Sequence, residues 1–533
     1  MTRFSLRDVT AGFTIAGLML PEAVAYAGIA GLAPGRAVVA GVAGGLIYAL
    51  AGRSRFAIIS PTSSSAAILL AALVGLGGEG ALRDGLATAL VGVVGLLLLG
   101  LAAFRLGSLT GFISRAVLRG FAFGLAITIV VRLVPRLVGV AAPSGPVWET
   151  IGHLVRQVSD WHLPALALGL LALAALLWLR RLPQVPGTLL VIVAGIGLTF
   201  VADMSRLGIA LVGPVQLELP PMILPQSYLE WSRLVQLAVP ITLIIFAESW
   251  GTMRDLALRH GDRVSPNREL MALGLANVAS ALVRGMPVGA GFSVGSANEA
   301  AGASTRAAGA IASGVVLLLA LLAGSLIARI PEPVLGAIVI AALTHALSLA
   351  PLVRLFRIRR DFWIAMAAVA GVLMFGILNG MLIAVALSIA NLLYDLAHPS
   401  ISVLGIVPET HDFVDVDRHP EAHCVAGVAI YRPNAPIIFA NAESALGAVT
   451  DLACAQPADM VVLSLEETND LDSTGIDALG ELETALRTAG KRLILARAHD
   501  RVRDVLALAG MGSLAQGSTF SVADAVHRAA PGD

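Results

Sequence analysis

Apolar segments of about 20 residues recur between residues 11 and 397, and they limit what this chain can fold into more than any other feature. A membrane-spanning helix needs about 20 mostly apolar residues. We count roughly fourteen such segments. They are centred near residues 19, 45, 69, 93, 124, 171 and 195 in the first half and near 245, 277, 304, 319, 340, 369 and 388 in the second. Since the chain is 57% hydrophobic and only 14% charged, we predict a multi-pass α-helical membrane protein.

The distribution of arginines predicts the orientation of these segments. With the N-terminus in the cytoplasm, the predicted inner loops and helix ends hold about 18 arginines and the outer ones about 9, as the positive-inside rule requires. The N-terminus lacks a short apolar core followed by a small-residue cleavage site, so we expect it to be retained. We therefore predict a protein of the cell (inner) membrane with both termini in the cytoplasm.

Residues 400–533 differ in charge and pattern from the rest of the chain. They carry 19 acidic and 9 basic side chains, which leaves 17 of the 36 acidic and 27 of the 36 basic ones elsewhere. Strand-length apolar runs alternate with predicted helices. The predicted strands are 425–430, 437–440, 459–465 and 492–496, and the predicted helices are 475–488 and 500–509. We predict a transport domain at 1–397, a linker at 398–411 and a small cytoplasmic α/β domain at 412–533.

Two polar stretches interrupt apolar segments at corresponding places in the two halves. They are residues 60–65, read as Ser-Pro-Thr-Ser-Ser-Ser, and the Gly-rich residues 292–305. Backbone that is not helical at membrane depth must be buried in protein or line a wet cavity. A helix that begins there directs its unpaired N–H groups at an anion. Interrupted helices in matching positions of two repeats are typical of a transporter's binding site.

Seven residues of these stretches are candidates for binding the anion: Thr62, Ser63, Ser64, Ser293, Val294, Gly295 and Ser296. The alternatives are helix packing by small residues and simple N-capping. Residues 291–295 also match the G-x-S-x-G nucleophile elbow. That motif requires the sheet and the triad of an α/β-hydrolase, so we expect no catalytic residues and no enzyme activity.

Two carboxylates lie inside apolar segments, where an ionisable group is costly and is by default a functional candidate. Glu22 and Tyr26 are one turn apart on one face of the first segment, and both are candidates for binding the substrate. Tyr26 could line the site with its ring and hydroxyl; the alternative is an anchor at the membrane interface. We hypothesise that Glu22 takes up a proton as the anion binds; the alternative is a structural carboxyl. Glu248 with Thr252 at i+4 offers oxygen ligands to a coupling cation, and the alternative is an ion pair with Arg254 or a nearby Arg.

Five stretches of the sequence resemble the SulP family of anion transporters, also called solute carrier family 26. They are 20–34, 60–62, 248–277, 292–305 and Asp472-Ser473-Thr474-Gly475, the last resembling a STAS domain. The resemblance implies fourteen membrane segments in two inverted seven-segment repeats, as in uracil permeases and band 3. It also implies a core domain that moves against a gate domain, and a homodimer.

The resemblance gives specific residues an expected role. Many relatives carry Gln in place of Glu22, where it faces the substrate, and a carboxylate at Glu248 for a coupling proton or sodium ion. In many relatives an Arg stands where this chain has Val294, so the chain lacks a fixed positive charge there.

In bacterial anti-sigma-factor antagonists the residue that matches Thr474 accepts a phosphate. Thr474 and its neighbour Ser473 are therefore candidate phosphoacceptors, where a phosphate adds charge at a helix N-terminus. The alternative is that Asp472 and Ser473 only cap the helix.

Together these features predict a secondary active transporter that moves a small inorganic or organic anion across the bilayer by alternating access. The anion is a dicarboxylate, bicarbonate, sulfate or similar, and the expected mode is proton symport, with Na⁺ as the other coupling ion. The alternatives are an uncoupled anion channel, an anion exchanger, or a membrane-anchored regulator whose STAS domain binds a cytoplasmic protein. We expect no cofactor, no metal and no nucleic acid, because the sequence has no metal-ligand spacing of Cys and His and no basic patch.

Overall fold

The computed structural model of the protein describes residues 5–76, 80–108, 114–140, 147–181, 187–204, 206–213, 227–344 and 346–529. The chain divides into two compact units, Met1–Ser388 and Ile389–Asp533.

Helices make up almost all of the first unit. Its first half contains α1 (Leu6–Ala30), α2 (Pro34–Ala51), β1 (Ile59–Ser60), α3 (Ser63–Leu76), α4 (Gly80–Ala103), α5 (Arg115–Val138), α6 (Val147–Arg156), α7 (Leu163–Leu179) and α8 (Gly187–Val201). Its second half contains α9 (Tyr228–His260), α10 (Pro266–Leu282), β2 (Gly289–Ala290), α11 (Phe292–Ala300), α12 (Ala307–Ile327), α13 (Glu332–Leu343), α14 (Ala350–Ile358) and α15 (Phe362–Ala397).

The predicted apolar segments correspond closely to these helices. All the predicted centres lie inside a helix except the tenth, near residue 304, because α11 ends at Ala300 and α12 begins at Ala307. The Asp8 carboxylate accepts hydrogen bonds from the backbone N–H groups of Ser304 and Thr305, at 2.8 and 2.9 Å. The polar end of the stretch 292–305 is therefore a capped turn between two helices.

Helix lengths within the described residues fit a membrane protein. Seven helices are long and apolar enough to span a bilayer, and α3, α7, α8, α13 and the first part of α15 are apolar but shorter. α15 is broken at Gly376, where φ is +82° and ψ is 172°. Beyond the break, the backbone of Gly380 lies against that of Gly371, so α15 contains two of the predicted segments.

The helices of the first unit pack in two groups. In one group, α1 packs on α2, α3 and α12, while α10 packs on α2 and α4, and α4 on α9. Helices from both halves of the sequence are thus interleaved. In the other group, α13 packs on α5, α7 and α8. Contacts of α1 with α8 and α13, and of α3 with α5, join the two groups.

The second unit is an α/β domain built on a five-stranded sheet. Its strands are β3 (Ile401–Ile406), β4 (Phe413–Asp415), β5 (Val428–Pro433), β6 (Met460–Ser464) and β7 (Arg492–Ala496), in the order β4-β3-β5-β6-β7. β5, β6 and β7 are parallel, while β3 is antiparallel to both of its neighbours. The helices are α16 (Ala442–Ala455), α17 (Ser473–Thr488), α18 (Asp500–Leu508), α19 (Gly512–Gly517) and α20 (Val522–Ala529).

Successive side chains of a strand point to opposite faces of the sheet, and here both faces are apolar. Tyr431, Leu463 and Leu495 pack with the face that α16 and α17 cover. Ile430 and Val462 belong to the opposite core, with Val522 of α20.

Two details of the predicted tail differ from the structure. Residues 437–440 are not a strand, because their N–H groups bond to side chains instead of to a neighbouring strand. Ile437 donates to Thr468 Oγ1 at 3.2 Å, and Ile438 donates to Asn441 Oδ1 at 2.9 Å. The predicted linker at 398–411 contains β3, which is a member of the sheet.

Candidate functional site

Two short strands bring the two interrupted helices together. β1 and β2 pair antiparallel, with Ser60 opposite Gly289 and Ile59 opposite Ala290. α3 begins at Ser63, just after β1, and α11 begins at Phe292, just after β2. The first N–H groups of a helix have no partner within it, and its N-terminus carries a partial positive charge. Two such ends from opposite halves of the sequence therefore lie close together.

The start of α3 is fixed by reciprocal capping. Thr62 Oγ1 accepts a hydrogen bond from the Ser65 N–H at 3.1 Å, and Ser65 Oγ accepts one from the Thr62 N–H at 2.9 Å. The Ser65 hydroxyl also lies 3.1 Å from the carbonyl of Pro287, ahead of β2. The predicted capping role of this stretch is therefore present. It leaves Ser63, which is half-buried, outside this capping pair.

Glu248 of α9 lies at the N-terminus of α3. Ser64 Oγ donates a hydrogen bond to its carboxylate, and Thr62 Oγ1 lies 2.9 Å from Ser64 Oγ. Within the described residues, the carboxylate of Glu248 is bonded to Ser64 and not to Arg254, whose side chain is exposed. The alternative of an ion pair with Arg254 is therefore not what the structure contains.

Glu22 and Tyr26 approach the same place from α1. Each side chain is only 5% exposed. The Tyr26 hydroxyl is hydrogen-bonded to the Glu22 carboxyl and lies near Glu248. α1 continues as a helix through Pro21. Tyr26 therefore lies within electrostatic range of both intramembrane carboxylates that the sequence singles out.

The other wall of the site is the first turn of α11. Val294 is 2% exposed, and Ser293 is half-buried. A Cβ atom on Gly295 would lie 3.5 Å from Thr252 Cγ2 and 3.0 Å from Leu256 Cδ1 of α9. Glycine at this position lets α11 approach α9, and it places Thr252 beside the half-helix.

Among the described residues, the hydroxyl of Ser296 is a polar group of the site that lacks a hydrogen-bond partner. Its oxygen is buried. Buried polar atoms are nearly always hydrogen-bonded, and an exception requires an explanation such as a missing ligand or water. Ser296 lies in the same short helix as Val294 and Gly295, directly after β2.

Two further polar residues hold the site, and neither is among the site residues that the sequence predicted. Ser249 Oγ accepts a hydrogen bond from the Ala290 N–H at 2.9 Å. Asn277 of α10 bonds to both the N–H and the carbonyl of Val288, each at 3.0 Å. Asn277 is completely buried. Polar side chains are rare at membrane depth, so the presence of Asn277 in an apolar segment could have indicated its role.

The arrangement can bind an anion through hydroxyls, backbone N–H groups and two helix N-termini. It contains the two carboxylates Glu22 and Glu248, and Val294 occupies the position where the resemblance would place an arginine. Within the described residues, no group of three or more His, Cys, Asp or Glu side chains could hold a metal ion.

The candidate phosphoacceptors belong to the second unit and not to this site. Asp472 is the N-cap of α17, and its carboxylate accepts from the Gly475 N–H at 2.8 Å and from the Phe439 N–H at 2.6 Å. Ser473 is exposed, and Thr474 is half-buried in the first turn. The capping role of Asp472 is therefore present, and phosphorylation of Thr474 or Ser473 stays a prediction.

Comparison with known protein families agrees with this organisation. Residues 6–368 match the Sulfate permease family, and residues 419–528 match the STAS domain. Probable sulfate transporter Rv1739c of Mycobacterium tuberculosis is 34% identical over 510 residues, covering 95% of this chain and 91% of that protein. Solute carrier family 26 member 6 of Homo sapiens is 30% identical over 469 residues, covering 82% of this chain and 61% of that protein.

Solved structures share the fold. Murine Slc26a9, an anion transporter in the inward-facing state, aligns with a TM-score of 0.89 at 20% identity, covering 99% of this chain and 92% of that one. The transmembrane domain of the cyanobacterial bicarbonate transporter BicA aligns with a TM-score of 0.63 at 22% identity, covering 73% of this chain and 97% of that one. The chain thus has a multi-pass helical fold followed by a STAS domain.

Proposed function

Because the chain belongs to the Sulfate permease family of anion transporters, we propose that it moves a small anion across the membrane by alternating access. The single observation that supports this most is the antiparallel pairing of β1 with β2, which brings the N-termini of α3 and α11 close together. The anion binds between these ends, where helix dipoles and N–H groups favour negative charge. The unsatisfied hydroxyl of Ser296 is one of its donors.

Proton coupling follows from the two carboxylates beside this position. An ionised Glu22 or Glu248 repels an anion bound nearby, and protonation of either removes that repulsion. Proton and anion therefore favour each other's binding, which is the linkage that symport requires. Protonation of Glu248 also frees Ser64, which donates to that carboxylate in the present structure, to donate to the anion instead. Na⁺, with Glu248 and Thr252 as oxygen ligands, is the other coupling ion that the residues allow.

The residue at 294 bears on the choice of anion. Val294 is buried and uncharged, so α11 contributes no fixed positive side chain to the site. Binding of a divalent anion must then be stabilised by the two helix N-termini and by protonation of the carboxylates. This favours a carboxylate, bicarbonate or similar anion taken up with a proton over tight binding of fully ionised sulfate.

The two helix groups of the first unit supply the moving parts. The candidate binding residues lie on or just before α1, α3, α9 and α11. α11 packs on α1 and α9, so all four helices belong to the group of interleaved helices. The group of α5, α7, α8 and α13 contacts it through α1 and α3. Movement of one group against the other would open the site to alternate sides of the membrane, as hinge and shear motions do in other proteins.

The test is uptake into proteoliposomes that contain the purified full chain. Labelled sulfate, bicarbonate, succinate and chloride are offered with and without an inward proton gradient or an inward sodium gradient. We expect one of these anions to accumulate faster with the proton gradient. If uptake is accelerated only by anions loaded inside the vesicle, the protein is an exchanger. If the anion carries a current that needs neither an ion gradient nor an internal anion, the protein is a channel. Either result contradicts symport.

The Glu22→Gln variant tests the coupling residue in the same vesicles. It keeps a polar side chain of similar size but cannot take up a proton. We expect uptake to continue and to lose its dependence on the proton gradient. A variant that keeps the full dependence rules out Glu22 as the proton site.

A further inference from the structure

The short helix α14 has an amphipathic surface that the transport mechanism does not use. One of its sides is packed on the protein, since Leu352 and Leu355 are buried in a small core with Ala116 and Ala365. The remaining side chains of the helix face outward. Two of its flanks are of opposite character, one apolar and one basic.

The apolar flank is a stripe of large exposed side chains. Leu349, Val353 and Phe356 follow each other at i, i+4 and i+7, which places them on one side of the helix. They are 59%, 44% and 63% exposed. Phe356 contacts Phe362 edge to face at 5.2 Å, and Phe362 contacts Trp363 at 5.3 Å. Trp363 is 80% exposed, so the stripe continues into the start of α15. A contiguous exposed apolar patch marks an interaction site.

The basic flank lies next to this stripe. Arg354 and Arg357 are one turn apart on the helix, and Arg359 and Arg360 follow at its end. All four side chains are exposed, and none forms an ion pair with another residue that the structure describes. The acidic residue beside them is Asp361, so this segment carries four positive charges and one negative charge.

We propose that α14 lies in the surface of the bilayer and binds anionic phospholipid headgroups through Arg354 and Arg357. A helix with an apolar face and a basic polar face inserts the apolar face at the boundary between headgroups and acyl chains. Leu349, Val353 and Phe356 form that face. The arginines then stand at the level of the phosphates, which guanidinium groups bind bidentately.

The position of α14 in the chain supports this partner over a protein. It follows α13 and precedes α15, so it connects apolar helices of the membrane unit. Trp363 stands at the end of an apolar helix, and tryptophan is enriched where membrane helices meet the headgroups. Juxtamembrane arginines are attracted to anionic lipid surfaces.

The first experiment measures lipid binding without transport. The midpoint of thermal unfolding of the detergent-solubilised full chain is followed as phosphatidylglycerol, phosphatidylcholine or inorganic phosphate is added. Ligand that binds the folded state raises this midpoint. We expect phosphatidylglycerol to raise it more than either of the others. An equal rise with phosphatidylcholine, or a rise with inorganic phosphate alone, would contradict an anionic lipid as the partner.

Variants locate the effect. In Arg354→Gln/Arg357→Gln we expect the apparent affinity for phosphatidylglycerol to fall about tenfold or more. The Arg354→Lys/Arg357→Lys variant keeps the charges but loses the bidentate fork, so we expect its affinity to fall less than that of the Gln variant. Arg487→Gln/Arg492→Gln removes two exposed arginines from the second unit and leaves the affinity unchanged. If the first variant binds phosphatidylglycerol as the unaltered protein does, α14 is not the site. This result is independent of which anion is transported.

Discussion

The hydroxyl of Ser64 donates a hydrogen bond to the carboxylate of Glu248, and the two residues are 184 positions apart in the sequence. The contact joins the first turn of α3 to the middle of α9, that is, one half of the chain to the other. It places the carboxylate where an anion held by α3 would also be. Under the proposed function, the charge state of Glu248 and the binding of the anion affect each other directly.

A double-mutant cycle on this pair should show strong coupling. Ser64→Ala removes a donor from a carboxylate at membrane depth, and a hydrogen bond to a charged group contributes about 1.5–3 kcal/mol. We expect kcat/KM for uptake to fall about tenfold in Ser64→Ala, and to fall no further when Glu248→Gln is added to it. Independent sites would instead give effects that multiply, and that result would remove the contact from the mechanism.

Val294→Arg should change which anions the protein prefers. A fixed positive charge beside the site attracts a divalent anion more than a monovalent one. We expect the ratio of KM values for chloride and sulfate to shift about tenfold toward sulfate, with a weaker dependence on the proton gradient. Val294→Gln is the control for size and polarity. If Gln shifts the ratio as far as Arg does, charge is not the cause.

Gly295→Ala should impair transport because of its contact with α9. The added Cβ would lie 3.0 Å from Leu256 Cδ1, so α11 or Leu256 must move by a few tenths of an ångström. Overpacking of this kind costs about 1–3 kcal/mol. The matched control is Gly314→Ala in α12, where a Cβ meets nothing within 4 Å. We expect uptake to fall in the first variant and to be unchanged in the second. Equal uptake in both would show that the close approach at Gly295 is unimportant.

Asp472→Ala should destabilise the second unit by removing the cap of α17. Its carboxylate accepts from the N–H groups of Gly475 and Phe439, and loss of an N-cap costs about 0.5–2 kcal/mol. Limited proteolysis of the full chain measures this as faster cleavage within 419–528. Ser473→Ala, at an exposed neighbouring position, should be cleaved at the unaltered rate. Equal cleavage of the two variants would mean that the cap contributes little.

The sequence predicted helices well where an apolar segment was long and continuous, because spanning a membrane requires both properties. It misplaced the tenth segment near residue 304, where Ser304 and Thr305 cap a turn through Asp8, some 296 positions away. It also read 437–440 as a strand, although the backbone of Ile437 and Ile438 bonds to side chains. In both places, backbone N–H groups donate to side chains instead of to backbone carbonyls. The spacing of apolar residues gives no sign of such hydrogen bonds.

The sequence by itself determined the class of protein, the two interrupted helices and the residue types of the site. Hydrophobic length, glycine and serine breaks, and carboxylates inside apolar segments are local properties, and each follows from the cost of exposing polar groups to lipid. Only the tertiary structure decided that Ser64 bonds to Glu248, that Tyr26 lies near both carboxylates and that Ser296 has no partner among the described residues. These relationships depend on how β1 meets β2 and how α1 and α9 pack around them, and such long-range packing is not encoded in the spacing of any one segment.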